Sequence, residues 1–276
     1  MEKANLSAIN LFATSLAVEA GEMLMKFFQS GSYDIVEKEG VDFTTEADQK
    51  TDEFIISHLR AKFPSYMILT EESAVGTDFS SFADADYCWV VDPLDGTGNF
   101  SRGDTNFSVS IALVKKGIPV LGVVYLPAEK KLYMAQAEEE GAWLNGKRIK
   151  VSQTSQLNQM VVACDWAWDL EARKTIAKYV ARIALKVRQI KCMGSACADL
   201  CKMAEGKIDA YIHTGLKPWD VAAAGLICYK AGACTVTIAG MLWNPFEKTI
   251  FVSNNRTTDH ILFKIMTSGL QVVGSL

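Results

Sequence analysis

Asp92 and Asp95 stand three residues apart at the end of the apolar run Trp89-Val90-Val91, with Pro93 and Leu94 between them and Gly96-Thr97 following. A strand ending there delivers Asp92 where side chains can leave a core. Pro93 fixes the backbone into a turn, and Gly96 permits a tight path beside a ligand. Two carboxylates on one rigid turn can share or adjoin divalent cations. The peptide N–H groups after Asp95 suit an anion, particularly if a helix begins there, and Thr97 adds a hydroxyl. The other reading is an ordinary aspartate-rich turn, since Asp-Gly is common between strands.

Two further acidic positions bear on that choice. Glu71-Glu72 follow Met67-Ile68-Leu69-Thr70, the end of what should be a neighbouring strand. Adjacent like charges repel, so a cation that neutralises one would account for them. A solvated loop or a helix N-terminus, where acids are favoured, is the alternative. Asp220 lies in Pro218-Trp219-Asp220-Val221-Ala222-Ala223-Ala224-Gly225, near a helix start, where it reads equally as a cap.

The elements that must position these groups follow from periodicity. Ile9, Phe12, Ala13, Leu16, Ala17, Ala20, Leu24, Phe27 and Phe28 recur at helical spacing, which predicts one long N-terminal helix. A second helix is expected from Thr45 to Lys62, stopped by Pro64. From Tyr66 to Val151 the chain reads mostly as strand, with Asn145-Gly146 as a hairpin turn. Beyond Ser152, strands at 160–164, 187–192, 208–212, 234–237 and 250–252 alternate with helices near 170–186, 196–205, 219–231 and 257–267, the rhythm of an α/β layer. The polar stretch from Ser152 to Gln159 suggests a division into residues 1–151, an α+β half, and 152–276, an α/β half.

Composition narrows the function classes. The chain of 276 residues carries a net charge of −4, without the basic excess of a nucleic-acid-binding surface. No uncharged apolar run approaches the roughly 18 residues of a membrane span, and no secretory signal is visible, so a cytoplasmic protein is expected. Seven scattered cysteines without a C-x-x-C pair read as reduced core thiols. His58, His213 and His260 are the only histidines, which gives a histidine triad or a zinc site little support.

Glu71-Glu72, Asp92-Pro93-Leu94-Asp95-Gly96-Thr97 and Trp219-Asp220-Val221-Ala222 together resemble the three signatures of the inositol monophosphatase family, part of the lithium-sensitive, magnesium-dependent sugar phosphatase superfamily. Asp48, in Thr44-Thr45-Glu46-Ala47-Asp48, and Gly194-Ser195-Ala196 fit the same pattern. The resemblance implies a layered α-β-α-β-α sandwich, a homodimer and two or three Mg²⁺ ions per site. By similarity, Glu71, Asp92 and the Leu94 carbonyl would hold one ion, and Asp92, Asp95 and Asp220 the second. One ion would activate a water and the other would stabilise the leaving oxygen. Thr97 and Glu71 would orient the water with Asp48 supporting Thr97, while the amides of Gly96 and Thr97 would bind phosphate. Glu72 would stand behind the ligands, and Lys38 matches a family lysine near the second metal.

The substrate implied is a small phosphomonoester. Gly194, Ser195 and Ala196 match a substrate loop, and Asp220 also borders the substrate. His213 occupies a position where animal relatives carry an acid that grips inositol hydroxyls; a neutral imidazole there lacks the charge-assisted bond. Gly98-Asn99-Phe100 departs from the Lys-Glu-Phe of many nucleotide 3′-phosphatases, which favours an inositol or sugar phosphate over 3′-phosphoadenosine 5′-phosphate. Fructose-1,6-bisphosphate, histidinol phosphate, 3′-phosphoadenosine 5′-phosphate itself and an added protein-binding regulatory role are the alternatives.

Overall fold

The computed structural model describes residues 6–37, 43–74, 76–255 and 257–268. The chain opens with α1 (Leu6–Ser30), the short hairpin β1 (Ile35–Glu37) and β2 (Phe43–Thr45), and α2 (Glu46–Lys62). Next come β3 (Met67–Thr70), α3 (Ser80–Ala83), β4 (Cys88–Asp95), the single turn α4 (Thr97–Phe100) and β5 (Ser108–Lys115). The meander β6 (Ile118–Leu126), β7 (Lys131–Gln136), β8 (Ala142–Leu144) and β9 (Lys147–Ile149) follows. The remainder alternates: β10 (Val161–Cys164), α5 (Leu170–Ile183), β11 (Gln189–Lys191), α6 (Ala196–Ala204), β12 (Ala210–Thr214), α7 (Pro218–Lys230), β13 (Cys234–Val236), β14 (Thr249–Ser253) and α8 (Thr257–Thr267).

Strands β3 to β9 form a seven-stranded sheet in sequence order, parallel only between β3 and β4. The second sheet has the order β11-β10-β12-β14-β13, parallel on its β11-β10-β12 side. Three apolar clusters show how the layers stack. Trp89, Val91, Ile111, Leu113 and Val123 bury the odd-numbered face of the first sheet against α1 and α2. Val90, Ala112, Val114 and Val124 on the opposite face meet α6 and α7, whose far sides meet Ala163, Tyr211 and Val252 of the second sheet. Met160, Val162, Ile212 and Phe251 then pack on α5 and α8. The result is the α-β-α-β-α sandwich the sequence implied.

Both sheets lean on α6 and α7, and the composition of α7 suits that place: Val221 to Cys228 is apolar or small on every side and buried throughout. The contact is close. A β-carbon at Gly122 of β6 would lie 2.5 Å from the carbonyl oxygen of Ala223, so helix backbone rests directly on strand backbone.

The long first helix, the second helix and the Asn145-Gly146 hairpin lie where expected; Asn145 and Gly146 both have positive φ, as that turn demands. The β1–β2 hairpin was not anticipated. Of the seven cysteines, Cys88, Cys164, Cys197, Cys201 and Cys228 are core residues, whereas Cys192 is exposed. No helix among the described residues is long and apolar enough to cross a membrane.

Candidate active site

The site is built around a counting irregularity in β4. Asp92 pairs with Ser110 of β5 and Asp95 with Ser108, so three steps along β4 match two along its partner. Residues three apart on a regular strand face opposite sides. The extra residue of this bulge turns Leu94 into the α1–α2 core beside Trp89 and Val91 and brings Asp95 back to the side of Asp92. Pro93 is tolerated in an inner strand because a bulge needs no ladder N–H there.

Asp92 is 1% exposed, and one oxygen accepts the N–H of Leu94 at 3.0 Å. Its pKa is raised well above the usual carboxylate range, first by burial and then by the charges of Glu71, Asp95, Asp220 and Asp48. Acids from three other stretches of chain, with Asp95 from its own strand, thus act on one buried carboxylate. Glu71 follows β3, where its N–H donates to Val91, while Asp220 sits in the first turn of α7. That turn is tied to the site by the Ser110 hydroxyl, 3.3 Å from the Trp219 carbonyl, and by the Cys197 thiol, 3.0 Å from the carbonyl of Asp220. One Asp220 oxygen accepts the Lys217 N–H at 2.7 Å, so the capping reading of the sequence holds alongside its charge.

Asp95 is held differently. Its carboxylate accepts from the hydroxyls of Ser108 (3.1 Å) and Ser195 and from the N–H groups of Ala196 (3.2 Å) and Cys197 (3.0 Å). It thus caps α6. Burial raises its pKa to about 6 against the lowering effect of the serine bonds. Asp48 is the third residue of α2 and closes a capping box with Thr45, whose N–H donates to it at 2.8 Å. Burial lifts Asp48 to about 6, its bonds from Thr45 oppose that, and Glu72 adds to it. Its other oxygen lies 2.9 Å from the Thr97 hydroxyl, which is also 3.1 Å from the Leu94 carbonyl.

Gly96 precedes α4 with φ +95°, and a β-carbon there would meet the Asn106 carbonyl at 2.9 Å. Only glycine suits that backbone. Ser195 and Ala196, expected at a substrate loop, turn their donors onto Asp95, and Gly194 donates its N–H to Asp165 at 2.8 Å. His213 lies on β12, 5% exposed; burial lowers its pKa to about 4, so the imidazole is neutral at physiological pH. Glu72 is half-buried, and its charge acts on Asp48 and Asp52. Lys38 lies outside the described residues.

The donor set is one of hard oxygens, and the charges that act most strongly on Asp92 are those of other carboxylates. That fits Mg²⁺ or a similar cation. Among the described residues no three acid, imidazole or thiol side chains stand together closely enough to hold a metal ion by themselves. Asp95 and Asp220 spend oxygens on backbone and serine donors instead. Mg²⁺ keeps several waters and needs few protein ligands, so such a partial set is adequate for it.

Comparisons with known proteins bear on the family and the fold. The profile of the inositol monophosphatase family matches residues 5–269. The chain belongs to the inositol monophosphatase family. It is 32% identical to the fructose-1,6-bisphosphatase/inositol-1-monophosphatase of Thermotoga maritima over 95% of this chain and 97% of that one. It is 31% identical to the Nus factor SuhB of Vibrio cholerae, covering 93% and 95%. The solved extragenic suppressor protein suhB of Bartonella henselae superposes with a TM-score of 0.86 at 29% identity, covering 96% of this chain and all of that one. Membership of the inositol monophosphatase family supports a phosphatase.

Sequence reading missed Ser108, Ser110, Asn99, Asn106 and Asp165. The first four are polar residues whose roles depend on strand register or on a distant loop. Asp165 had a signal: Val162-Ala163-Cys164-Asp165 repeats the pattern of Val90-Val91-Asp92, an acid at the end of an apolar strand.

Proposed function

We propose that this protein is a Mg²⁺-dependent phosphomonoesterase acting on inositol monophosphate or a related sugar or polyol phosphate. The observation that carries the reading is the convergence on buried Asp92 of charge from Glu71, Asp95 and Asp220. Two or three Mg²⁺ ions are expected, one held by Glu71, Asp92 and the Leu94 carbonyl, another by Asp92, Asp95 and Asp220. Bound there, Mg²⁺ supplies a more acidic water and neutralises charge on the phosphoryl oxygens.

The chain's own residues do the orienting. When the single Thr97 proton is directed at Asp48, the hydroxyl lone pairs face outward and accept a hydrogen from water. Glu71 accepts the other hydrogen, which leaves an oxygen lone pair for in-line attack on phosphorus. The first N–H groups of α4 lack acceptors within the turn and suit the phosphoryl oxygens. Gly194, Ser195, Ala196, His213 and Asp220 border the space for the alcohol.

A second substrate, fructose-1,6-bisphosphate, is favoured by the two activities in the name of the Thermotoga relative. A homodimer belongs to the same reading, since Trp166, Trp168 and Leu170 stand exposed together; sedimentation would test it. The function is tested by phosphate release from inositol 1-phosphate, fructose-1,6-bisphosphate, histidinol phosphate and 3′-phosphoadenosine 5′-phosphate, each with Mg²⁺, with chelator and with Li⁺. Hydrolysis of a polyol phosphate that needs Mg²⁺ and is blocked by Li⁺ is expected. Full activity in excess chelator would sink the proposal.

A further inference from the structure

Asp165, directly after β10, is 7% exposed and belongs to none of the acids around Asp92. One of its oxygens accepts from the N–H groups of Met193 (3.1 Å) and Gly194 (2.8 Å) and from the Cys192 thiol (3.6 Å). The other accepts the hydroxyl of fully buried Tyr211 on β12 at 3.1 Å. A carboxylate offers about four acceptor sites. Asp165 accepts four donors, three on one oxygen and one on the other, so it is engaged mainly in holding protein groups.

The same short link is gripped from the other half of the molecule. The Met193 carbonyl accepts from the side-chain amides of Asn99 (2.7 Å) and Asn106 (2.8 Å), and the Asn99 side chain fills the space where Gly194 lacks a β-carbon. The Met193-Gly194 segment is therefore clamped on its N–H side by the second sheet and on its carbonyl side by the loops around α4. Immediately beyond it, the Ser195 hydroxyl and the N–H groups of Ala196 and Cys197 hold Asp95.

We infer that Asp165 is a positioning residue that fixes the Met193-Gly194 link and, through Ser195 to Cys197, sets the Asp95 carboxylate for cation binding. The inference rests on the proposed Mg²⁺ site. It makes Asp165 an acceptor whose geometry matters more than its negative charge.

Asp165→Ala and Asp165→Asn separate the two. The asparagine keeps an acceptor for Met193 and Gly194 and offers its amide to the Tyr211 oxygen. Mg²⁺ affinity by calorimetry is expected to fall about tenfold or more in Asp165→Ala, the usual cost of losing a ligand's supporting partner, and to stay within about threefold of wild type in Asp165→Asn. The half-saturating Mg²⁺ for phosphate release should move by the same factors. Amide exchange at Ser195, Ala196 and Cys197 should quicken in Asp165→Ala only. Should Asp165→Ala fail to fold, Asn99→Ala loosens the carbonyl side and is expected to weaken Mg²⁺ binding and quicken the same amides. Asparagine as damaging as alanine, or unchanged Mg²⁺ affinity in Asp165→Ala or in a folded Asn99→Ala, overturns the inference. Wild-type protein that binds no Mg²⁺ overturns the phosphatase reading and the cation role of Asp165 together. The exchange data then show separately whether the link is clamped.

Discussion

The hydroxyl of Thr97 stands 2.9 Å from Oδ1 of Asp48, a residue 49 positions earlier in the chain. The pair joins the start of α4 to the first turn of α2, and Thr45 fixes Asp48 from the other side. A threonine whose proton is already committed presents lone pairs, which is what a positioned water needs.

Thr97→Ala is accordingly expected to lower kcat about 100-fold, in the range of a lost acid–base or orienting group, with KM little changed. Thr97→Ser keeps the hydroxyl and should stay within about tenfold of wild type. Steady-state phosphate release at saturating Mg²⁺ checks both.

Asp92→Asn should abolish Mg²⁺ binding yet stabilise the metal-free fold. The pKa of Asp92 is raised in the folded state, so its contribution to stability is fully present below pH about 4 and is lost as pH rises through the folded value. The mutant lacks that loss. Its melting temperature in chelator should exceed that of wild type by a few degrees near pH 8, about 1–2 kcal/mol, with the gap closing toward pH 4. A wild-type protein that melts higher at pH 8 in chelator would contradict this.

Protons and cations compete for the same carboxylates. Asp95 and Asp48 titrate at about 6, and Asp92 is also raised. The Mg²⁺ concentration for half-maximal activity should be flat above pH 7 and climb below pH 6, by about tenfold per pH unit for each proton displaced. Mg²⁺ titrations of activity from pH 5 to 8.5 measure it.

Gly122→Ala tests the seat of α7. The added β-carbon would meet the backbone of Ala223 at 2.5 Å, and a backbone cannot rotate aside. The helix must shift, carrying Asp220 with it. A loss of about 1–3 kcal/mol in stability is expected from overpacking, together with weaker Mg²⁺ binding; denaturant unfolding and calorimetry report the two effects.

Much of this was legible in the residues. Glu71 at the end of a strand followed from an apolar run stopping at a charge, and α2 followed from its periodicity; Asp92, read as a strand end before a turn, instead lies inside β4, which runs on through Pro93 to Asp95. The way Asp92 and Asp95 come to share a side did not follow, because it depends on how β4 registers with Ser108 and Ser110 on another strand. The β1–β2 hairpin escaped because three-residue strands carry too little periodicity to read. Asp165 escaped because no motif called attention to it, although the strand-end argument applied there equally. Ser195 and Ala196 sat in a matched loop, but their use as a cradle for Asp95 depends on two segments about a hundred residues apart.

The bulge in β4 makes this chemistry sensitive to residue number as well as residue type. Deleting Leu94 would leave every acid in the sequence, with the two aspartates two apart on one face of an unbroken strand, yet it would remove the side chain that anchors the turn in the α1–α2 core and the carbonyl that accepts the Thr97 hydroxyl. A lineage of such proteins can drift widely in composition here, but it can hardly gain or lose a single codon between the two aspartates.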